Sequence, residues 1–272
     1  MVAESTPTVG RTAAFFDVDR TLLRGSSLLH VARPMRRAGL LTSRAMLHAL
    51  VMQARFSLYG FDEMQIREAV RGVGALVDGI EADRLRAFAR SSIPAHVLPL
   101  VYREARARIE WHRTAGDLVF LVSSSPREFI SELGSMLGVD GVAATEAELR
   151  DGRYTGRIIR FCHGDGKAAS VVELAGVHGV DLAQSHAYGD SFVSDLAMLE
   201  AVGHPLAVNP DRALRVEAGR RGWPVESFQR TGNLPAISSF GGLPARAARV
   251  SRAALRRLNV NVRNKTRSLR EL

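Results

Sequence analysis

The sequence contains a single cysteine, Cys162, among 272 residues. One cysteine excludes an internal disulfide framework and a zinc site built from several cysteines, and it is typical of a protein from the reducing cytoplasm. Residues 1–12 lack the apolar core of a secretory signal peptide, so we expect a flexible leader there. The chain also lacks a run of about 18 uninterrupted apolar residues, and we therefore predict a cytoplasmic protein without a membrane span.

Positive charge is unevenly distributed along the chain. The formal net charge is +9, and residues 244–272 alone carry nine basic side chains and one acidic side chain, Glu271. The rest of the chain is therefore nearly neutral, and no specific nucleic-acid binding is expected of it. For the basic tail three interpretations stay open: peripheral contact with an anionic membrane surface, contact with an acidic partner or nucleic acid, or a solvated disordered tail.

Strand-like and helix-like segments alternate along most of the chain. The strand-like segments are short apolar runs, and they lie at residues 13–19, 118–125, around 142, 186–190 and 204–209. Residues 148–159 contain Asp-Gly between two strand-like runs, which predicts a hairpin. This alternation predicts an α/β fold with a doubly wound, Rossmann-like parallel sheet.

The region between the first two predicted strands is long and helical in character. Residues 27–114 are rich in Ala, Leu, Arg and Glu and are interrupted by glycine and proline, which predicts a helical cap inserted after the first strand. Residues 13–26 and 115–228 would then form the α/β catalytic core. Residues 229–272 would form a linker rich in Gly, Pro and Ser, followed by the basic tail.

Charged and hydroxyl side chains follow several predicted strands or begin the next helix. They are Asp17, Asp19, Ser123, Lys167, Asp190 and Asp195. Each of them alone has a simpler explanation as a turn residue, a helix cap or a solvated side chain. However, ligands of doubly wound sheets bind outside the carboxyl ends of the strands, so these residues together predict a site there.

The residue types of this predicted site suit phosphoryl chemistry. Carboxylates are oxygen ligands of the kind that Mg²⁺ prefers, and a lysine with a serine suits a dianionic phosphoryl group. A carboxylate can attack as a nucleophile, and a second carboxylate nearby can act as acid and base. The set therefore indicates magnesium-assisted phosphoryl transfer.

Four segments of the chain resemble the motifs of the haloacid dehalogenase-like hydrolase superfamily. In chain order they are FFDVDRTLL, LVSSS, CHGDGKAA and YGDSFVSD. The resemblance runs from about Ala13 to Phe228, and DGRYTGRI with NPDRALRVEAGRRGWPV further resembles the phosphoserine-phosphatase-like branch, subfamily IB. That branch carries its helical cap between the first and second motifs, where the helical insertion is predicted.

The resemblance implies a role for each residue of the first motif. Asp17 would be the nucleophile and a metal ligand. Asp19 would protonate the leaving group and then activate water, and its backbone carbonyl would bind Mg²⁺. Thr21 would support this loop and the phosphate site.

The later motifs imply the remaining roles. Ser123, Ser124 and Lys167 would hold the phosphoryl oxygens, and Lys167 would take part in catalysis. Asp190 would be the third protein ligand of Mg²⁺. Asp195 would position Lys167 or a metal-bound water.

The sequence departs from the branch at one position. Phosphoserine phosphatases carry a glutamate nine residues after the nucleophile, where it holds the substrate ammonium, and this chain has Ser26 there. Phosphoserine is therefore expected to be a poor substrate unless another acid, such as Glu63 or Glu68, replaces that glutamate. Arg67 in the predicted cap has two interpretations, contact with a substrate anion or, as the simpler one, a place on a solvated helix face. Arg20 in the first motif either lines the site entrance or caps a neighbouring helix.

The sequence leaves three functions open. The first is a Mg²⁺-dependent phosphatase that hydrolyses a small phosphorylated metabolite through an aspartyl-phosphate. The second is a phosphotransferase or mutase of the same superfamily. The third, from another class, is a non-catalytic binding protein that uses its basic tail.

Overall fold

The computed structural model describes residues 10–41, 70, 72, 74–75 and 77–231. Its strands in chain order are β1 (Ala13–Phe16), β2 (Leu118–Pro126), β3 (Gly141–Arg150), β4 (Arg153–Arg160), β5 (His186–Gly189), β6 (His204–Val208) and β7 (Val225–Glu226). Within the described part of the chain they form one sheet of seven strands in the order β4-β3-β2-β1-β5-β6-β7. All neighbours are parallel except the β3–β4 hairpin. The predicted α/β fold with a doubly wound sheet is therefore confirmed.

The helices connect these strands. They are α1 (Ser27–Arg37), α2 (Ala82–Ser92), α3 (Arg103–Ala115), α4 (Arg127–Leu137), α5 (Asp165–His178), α6 (Phe192–Glu200) and α7 (Arg212–Arg221). A π-helical turn (Ile93–Val97) and two 3₁₀ turns (Leu98–Leu100 and Leu182–Gln184) are also present, and residues 70, 72, 74–75 and 77 are helical. None of the described helices is long and apolar enough to cross a membrane.

The central strands are apolar on both faces because helices cover both sides of the sheet. Phe16 and Tyr188 face a cluster that includes residues of α1, α2, α3 and α4, whereas Phe15, Phe120 and Ala187 face a cluster with residues of α5, α6 and α7. Strand alternation explains this division, since successive side chains point to opposite faces. The sheet is therefore the fixed base from which the strand ends extend.

The first strand is shorter than predicted. The apolar pattern predicts a strand over residues 13–19, but β1 ends at Phe16. After Val18 the chain turns, because the backbone N–H groups of Leu22 and Leu23 both donate to the Val18 carbonyl. Arg20 adopts a left-handed conformation with φ of 65° inside this turn. Consequently Asp17 and Asp19 lie in a loop at the carboxyl edge.

The described part of the predicted cap has two kinds of packing. α1, α2 and the π-helical turn pack against one another, and α2 and the turn also contact α4. α3, which the cap prediction includes, packs against β1 and β2 of the sheet. α1 continues through Pro34, where a break is predicted, and its buried Val31 and Met35 hold that helix against the core. The separation of residues 27–114 as a cap stays a prediction, and residues 42–69 lie outside the described residues.

Gly203 offers a test of how tightly the loop before β6 is packed. A Cβ atom at this position would lie 1.8 Å from the carbonyl oxygen of Ala183. We expect Gly203→Ala to lower the free energy of unfolding by about 1–3 kcal/mol, because backbone would have to move. The matched control is Gly176→Ala in α5, where a Cβ has open space and helix propensity favours alanine by up to about 1 kcal/mol. Urea unfolding measures the change in the free energy of unfolding for each variant. We expect a decrease for Gly203→Ala and an increase for Gly176→Ala, and equal changes would contradict tight packing at Gly203.

Candidate active site

Two neighbouring strands bring the first carboxylates together at the carboxyl edge of the sheet. Asp17 directly follows β1, Asp190 directly follows β5, and these strands pair in parallel. The backbone N–H of Asp17 extends the pairing by donating to the Tyr188 carbonyl at 2.9 Å. Both side chains are buried, with 4% and 3% of their residue surface exposed. The strand-end placement expected from the sequence is therefore present for this pair.

Lys167 lies between Asp17 and Asp195 and is fully buried. Its Nζ donates to Asp17 Oδ1 in a very short contact and to Asp195 Oδ1 at 2.6 Å. The lysine is the third residue of α5, and the tight turn before it requires Gly166, where a Cβ would lie 2.1 Å from the Phe161 carbonyl oxygen. The ammonium is thus directed into the carboxyl edge by the start of the helix.

Asp195 holds the end of β5 in place. Its Oδ2 accepts hydrogen bonds from the backbone N–H groups of Asp190 and Ser191, both at 2.9 Å. The close approach depends on Gly189, because a Cβ there would lie 2.6 Å from the Asp195 Cβ. Since its two oxygens are used by Lys167 and by this loop, Asp195 positions both the ammonium and Asp190.

Burial and charge shift the pKa values of this cluster in opposite directions. Burial, with the charge of Asp195, raises the pKa of Asp17 to about 7 although Lys167 opposes this. The pKa of Asp190 is raised well above its usual range by burial and then by Asp195 and Asp17. Burial would raise the pKa of Asp195 too, but Lys167 and the two backbone N–H groups outweigh it and lower the pKa. Burial opposes the charge of Lys167, yet Asp17 and Asp195 keep its pKa above the usual value.

Arg20 supplies the second cation of the cluster. Its Nη2 lies 2.5 Å from Asp190 Oδ2, and 46% of its side chain is exposed to solvent. The turn after β1 directs it there, and Asn209 Nδ2 donates to its carbonyl at 3.3 Å. The sequence suggested Arg20 as a residue of the site entrance, but it carried no signal that Asp190 is its partner.

The cluster meets the requirements of a divalent cation site. Carboxylate oxygens of Asp17, Asp190 and Asp195 lie within 4.8 Å of one another. These three carboxyl groups outnumber the two cations of the cluster, Lys167 and Arg20. Asp17 Oδ2 is buried and has no hydrogen-bond partner in the described part of the chain, so this oxygen is available to a ligand at the site. Buried carboxylates with an oxygen to spare fit a hard ion such as Mg²⁺.

Asp19 lies beside this cluster and joins two other segments. Its Oδ1 accepts from the backbone N–H of Ser27 at 2.7 Å, and its Oδ2 accepts from Ser125 Oγ at 3.1 Å. The hydroxyls of Ser27 and Ser125 also contact each other at 2.9 Å. Asp19 thus caps the first turn of α1, where the Ser26 side chain makes no cap hydrogen bond. Ser27 and Ser125 were not predicted as site residues, because their serine runs carry no spacing signal for this contact.

The other residues implied by the resemblance occupy the same edge. Thr21 is fully buried, and its Oγ1 has no hydrogen-bond partner among the described residues. Ser123 Oγ accepts from the backbone N–H of Ser125 at 3.1 Å. Ser124 Oγ donates to the Cys162 carbonyl at 2.9 Å and contacts His163, which directs it toward the segment before Lys167. Their phosphate-binding roles stay predictions. Glu63, Arg67, Glu68 and the tail at 244–272 lie outside the described residues.

Comparison with known proteins agrees with this geometry. The family model described as haloacid dehalogenase-like hydrolase matches residues 14–200. A probable phosphatase of Mycobacterium tuberculosis is 41% identical over 224 residues, which cover 82% of this chain and 78% of that protein. A phosphoserine phosphatase of the same organism is 34% identical over 89% of this chain and 79% of its own length.

One solved structure, a protein of unknown function from Bordetella pertussis, is 29% identical with a TM-score of 0.69. It covers 80% of this chain and 98% of its own length. The family match spans more than half of the chain, and the four motifs that carry the sequence resemblance lie within it. The chain therefore belongs to the haloacid dehalogenase-like hydrolases, in the branch that resembles phosphoserine phosphatases.

Proposed function

We propose that the protein is a Mg²⁺-dependent phosphatase that hydrolyses a small phosphate monoester through an aspartyl-phosphate on Asp17. The observation that carries this proposal is the buried arrangement of Asp17. One of its oxygens is held by Lys167, and the other has no hydrogen-bond partner in the described residues. A carboxylate held in this way has a fixed direction and a free oxygen, which are the properties a nucleophile needs.

The proposed reaction has two displacements at phosphorus. In the first, a bond forms between the free oxygen of Asp17 and phosphorus while the ester P–O bond breaks, and Asp19 gives its proton to the leaving alkoxide. In the second, Asp19 takes a proton from water, the water oxygen bonds to phosphorus, and the acyl-phosphate P–O bond breaks. Inorganic phosphate leaves, and Asp17 and Asp19 return to their initial states.

The residues around Asp17 support this sequence of steps. Lys167 is close enough to Asp17 to neutralise phosphoryl oxygens bound next to it, and Asp195 keeps the ammonium in position. Ser27 and Ser125 hold the Asp19 carboxyl at the edge where α1 begins. Asp17, Asp190 and the Asp19 carbonyl would hold Mg²⁺, which would supply positive charge to the phosphoryl oxygens.

The first test replaces the nucleophile. Asp17→Asn keeps the size of the side chain but replaces the nucleophilic carboxylate with a neutral amide. Phosphate release from p-nitrophenyl phosphate and from phosphorylated metabolites should therefore fall to background. Asp19→Asn should be slow and should accumulate phosphoenzyme with p-nitrophenyl phosphate, whose leaving group needs no proton. Circular dichroism controls for folding. Full activity of Asp17→Asn would contradict the proposal, and phosphate transfer to a second metabolite without release to water would favour a phosphotransferase.

The second test concerns the metal and uses Arg20. Chelation of divalent ions should stop turnover, and excess Ca²⁺ should inhibit, since Ca²⁺ takes more ligands and can bind both Asp17 oxygens. Arg20 pairs with the carboxylate that the metal needs, so Arg20→Gly should tighten Mg²⁺ binding by roughly fivefold, or about 1 kcal/mol. Glycine also suits the left-handed backbone at this position.

Isothermal titration without substrate measures this affinity. Arg24→Ala, on the same loop, is the matched control for general loss of positive charge and should change the Mg²⁺ affinity less. Turnover in the presence of a chelator would contradict the metal requirement, and equal effects of the two arginine variants would contradict the specific role of the Arg20–Asp190 pair.

The third test concerns the substrate. Ser26 directly precedes α1 and supplies no negative charge, and the nearby Asp19 is hydrogen-bonded to Ser27 and Ser125. Phosphoserine should therefore be hydrolysed with a kcat/KM roughly 10–150-fold below that of glycerol phosphate, because its ammonium loses a charge-assisted contact. Phosphoethanolamine and propyl phosphate are a closer pair, since they differ only in the ammonium.

Ser26→Glu should shift the preference toward the amine-bearing esters. The relative described as a phosphoserine phosphatase makes phosphoserine the most informative competitor. A tenfold preference of the unmodified protein for phosphoserine would show that another acid performs the role of the missing glutamate, with Glu63 and Glu68 as the first candidates.

A further inference from the structure

A second cluster of metal-ligand side chains lies at the opposite edge of the sheet. It consists of His112 in the last turn of α3, Asp117 just before β2 and His186 at the start of β5. We name these three residues the amino-edge cluster. His186 and Asp190 are at opposite ends of β5, and four residues of strand span about 13 Å. The amino-edge cluster is therefore separate from the carboxylates at the active site.

The three side chains of the amino-edge cluster converge. One ligand atom from each lies within 4.8 Å of the other two. His112 Nδ1 is 2.7 Å from Asp117 Oδ2, and the rings of His112 and His186 are 4.8 Å apart. Tetrahedral coordination at zinc bond lengths separates ligand atoms by about 3.3 Å, so small side-chain rotations would be enough.

The outer contacts of this cluster resemble those that orient metal ligands. His112 Nε2 contacts the Tyr188 hydroxyl at 2.7 Å, and the second oxygen of Asp117 accepts a short hydrogen bond from Thr12 Oγ1. Metal-bound imidazoles and carboxylates have such partners on the side away from the ion, and these partners fix the ligand orientation. Tyr188 and Thr12 therefore fix the orientation of His112 and Asp117, so that His112 Nδ1 and Asp117 Oδ2 face each other.

His186 provides the observation that points to a ligand. Its Nδ1 is buried and has no hydrogen-bond partner in the described part of the chain. Buried ring nitrogens normally have a partner, so an unsatisfied one requires an explanation.

From this geometry we propose that His112, Asp117 and His186 bind a divalent transition-metal ion of the zinc class. Two imidazoles and one carboxylate are a borderline-soft ligand set that favours Zn²⁺ over Mg²⁺. The ion would connect α3 to the segment before β2 and to β5, and its fourth position would be open to water. This proposal does not depend on the phosphatase activity.

A metal-free explanation of the same contacts exists and gives a different result. Asp117, His112 and Tyr188 would then be a buried hydrogen-bonded chain, and His186 would only pack against its neighbours. Such a chain has no affinity for an added ion. Zinc titration of the metal-stripped full-length protein therefore separates the two explanations.

The experiment is an isothermal titration with Zn²⁺ in excess Mg²⁺, combined with melting temperatures. The unmodified protein should bind one equivalent and its melting temperature should rise with Zn²⁺ concentration. His186→Gln and Asp117→Asn should each weaken binding at least tenfold. The fluorescence of Trp111, whose ring lies 6.0 Å from the His186 ring, should change on binding and reports on this location.

His204→Gln is the matched control, because the His204 ring stacks on His186 at 4.8 Å but is outside the amino-edge cluster. It should retain affinity within about threefold, and so should Asp190→Asn at the active site. Melting temperatures without metal show that each variant folds, and either ligand variant alone is sufficient for the test. Absence of zinc binding would overturn the proposal. Unchanged affinity in a folded ligand variant, or equal loss in His204→Gln, would also overturn it.

Discussion

The contact of Lys167 with Asp17 and Asp195 is the interaction on which the carboxyl edge depends. A buried lysine is stable only with paired negative charge, and each of these two carboxylates needs the cation in return. Asp195 also holds the backbone after β5 through two N–H groups. One ammonium group therefore connects the start of α5, the end of β1 and the first turn of α6, and Asp195 extends this connection to the end of β5.

The carboxyl groups at this edge outnumber the cations that they contact. Lys167 satisfies one oxygen of Asp17 and one of Asp195, and Arg20 reaches Asp190 from a half-exposed position. The second oxygen of Asp17 has no partner among the described residues. Burying three carboxyl groups with only two cations costs free energy, because a buried charge without a partner is unfavourable. A cation or other ligand bound at this edge would offset that cost. The imbalance is thus best understood as a binding property rather than as a source of stability.

The two ends of the sheet differ in chemical character. The carboxyl edge combines carboxylates with two strong cations and suits hard ions and phosphoryl oxygens, whereas the amino edge gathers imidazoles around a single carboxylate. Both arise from the parallel topology, since residues just before and just after the strands come together at opposite edges. Tyr188 connects them, because its hydroxyl contacts His112 while its carbonyl accepts from Asp17.

The α/β fold and the edge that carries the acids could be predicted from the sequence, because strand and helix periodicity and four ordered motifs are local properties of the chain. The hairpin at Asp151-Gly152 is an example that the structure confirms. The pairing of groups could be identified only in the folded chain: Arg20 with Asp190, Asp19 with Ser27 and Ser125, and His112 with Asp117. Partners such as Asp19 and Ser125 are more than a hundred residues apart and follow no periodic pattern, so their contacts depend on how the sheet orders its strands and not on any local signal.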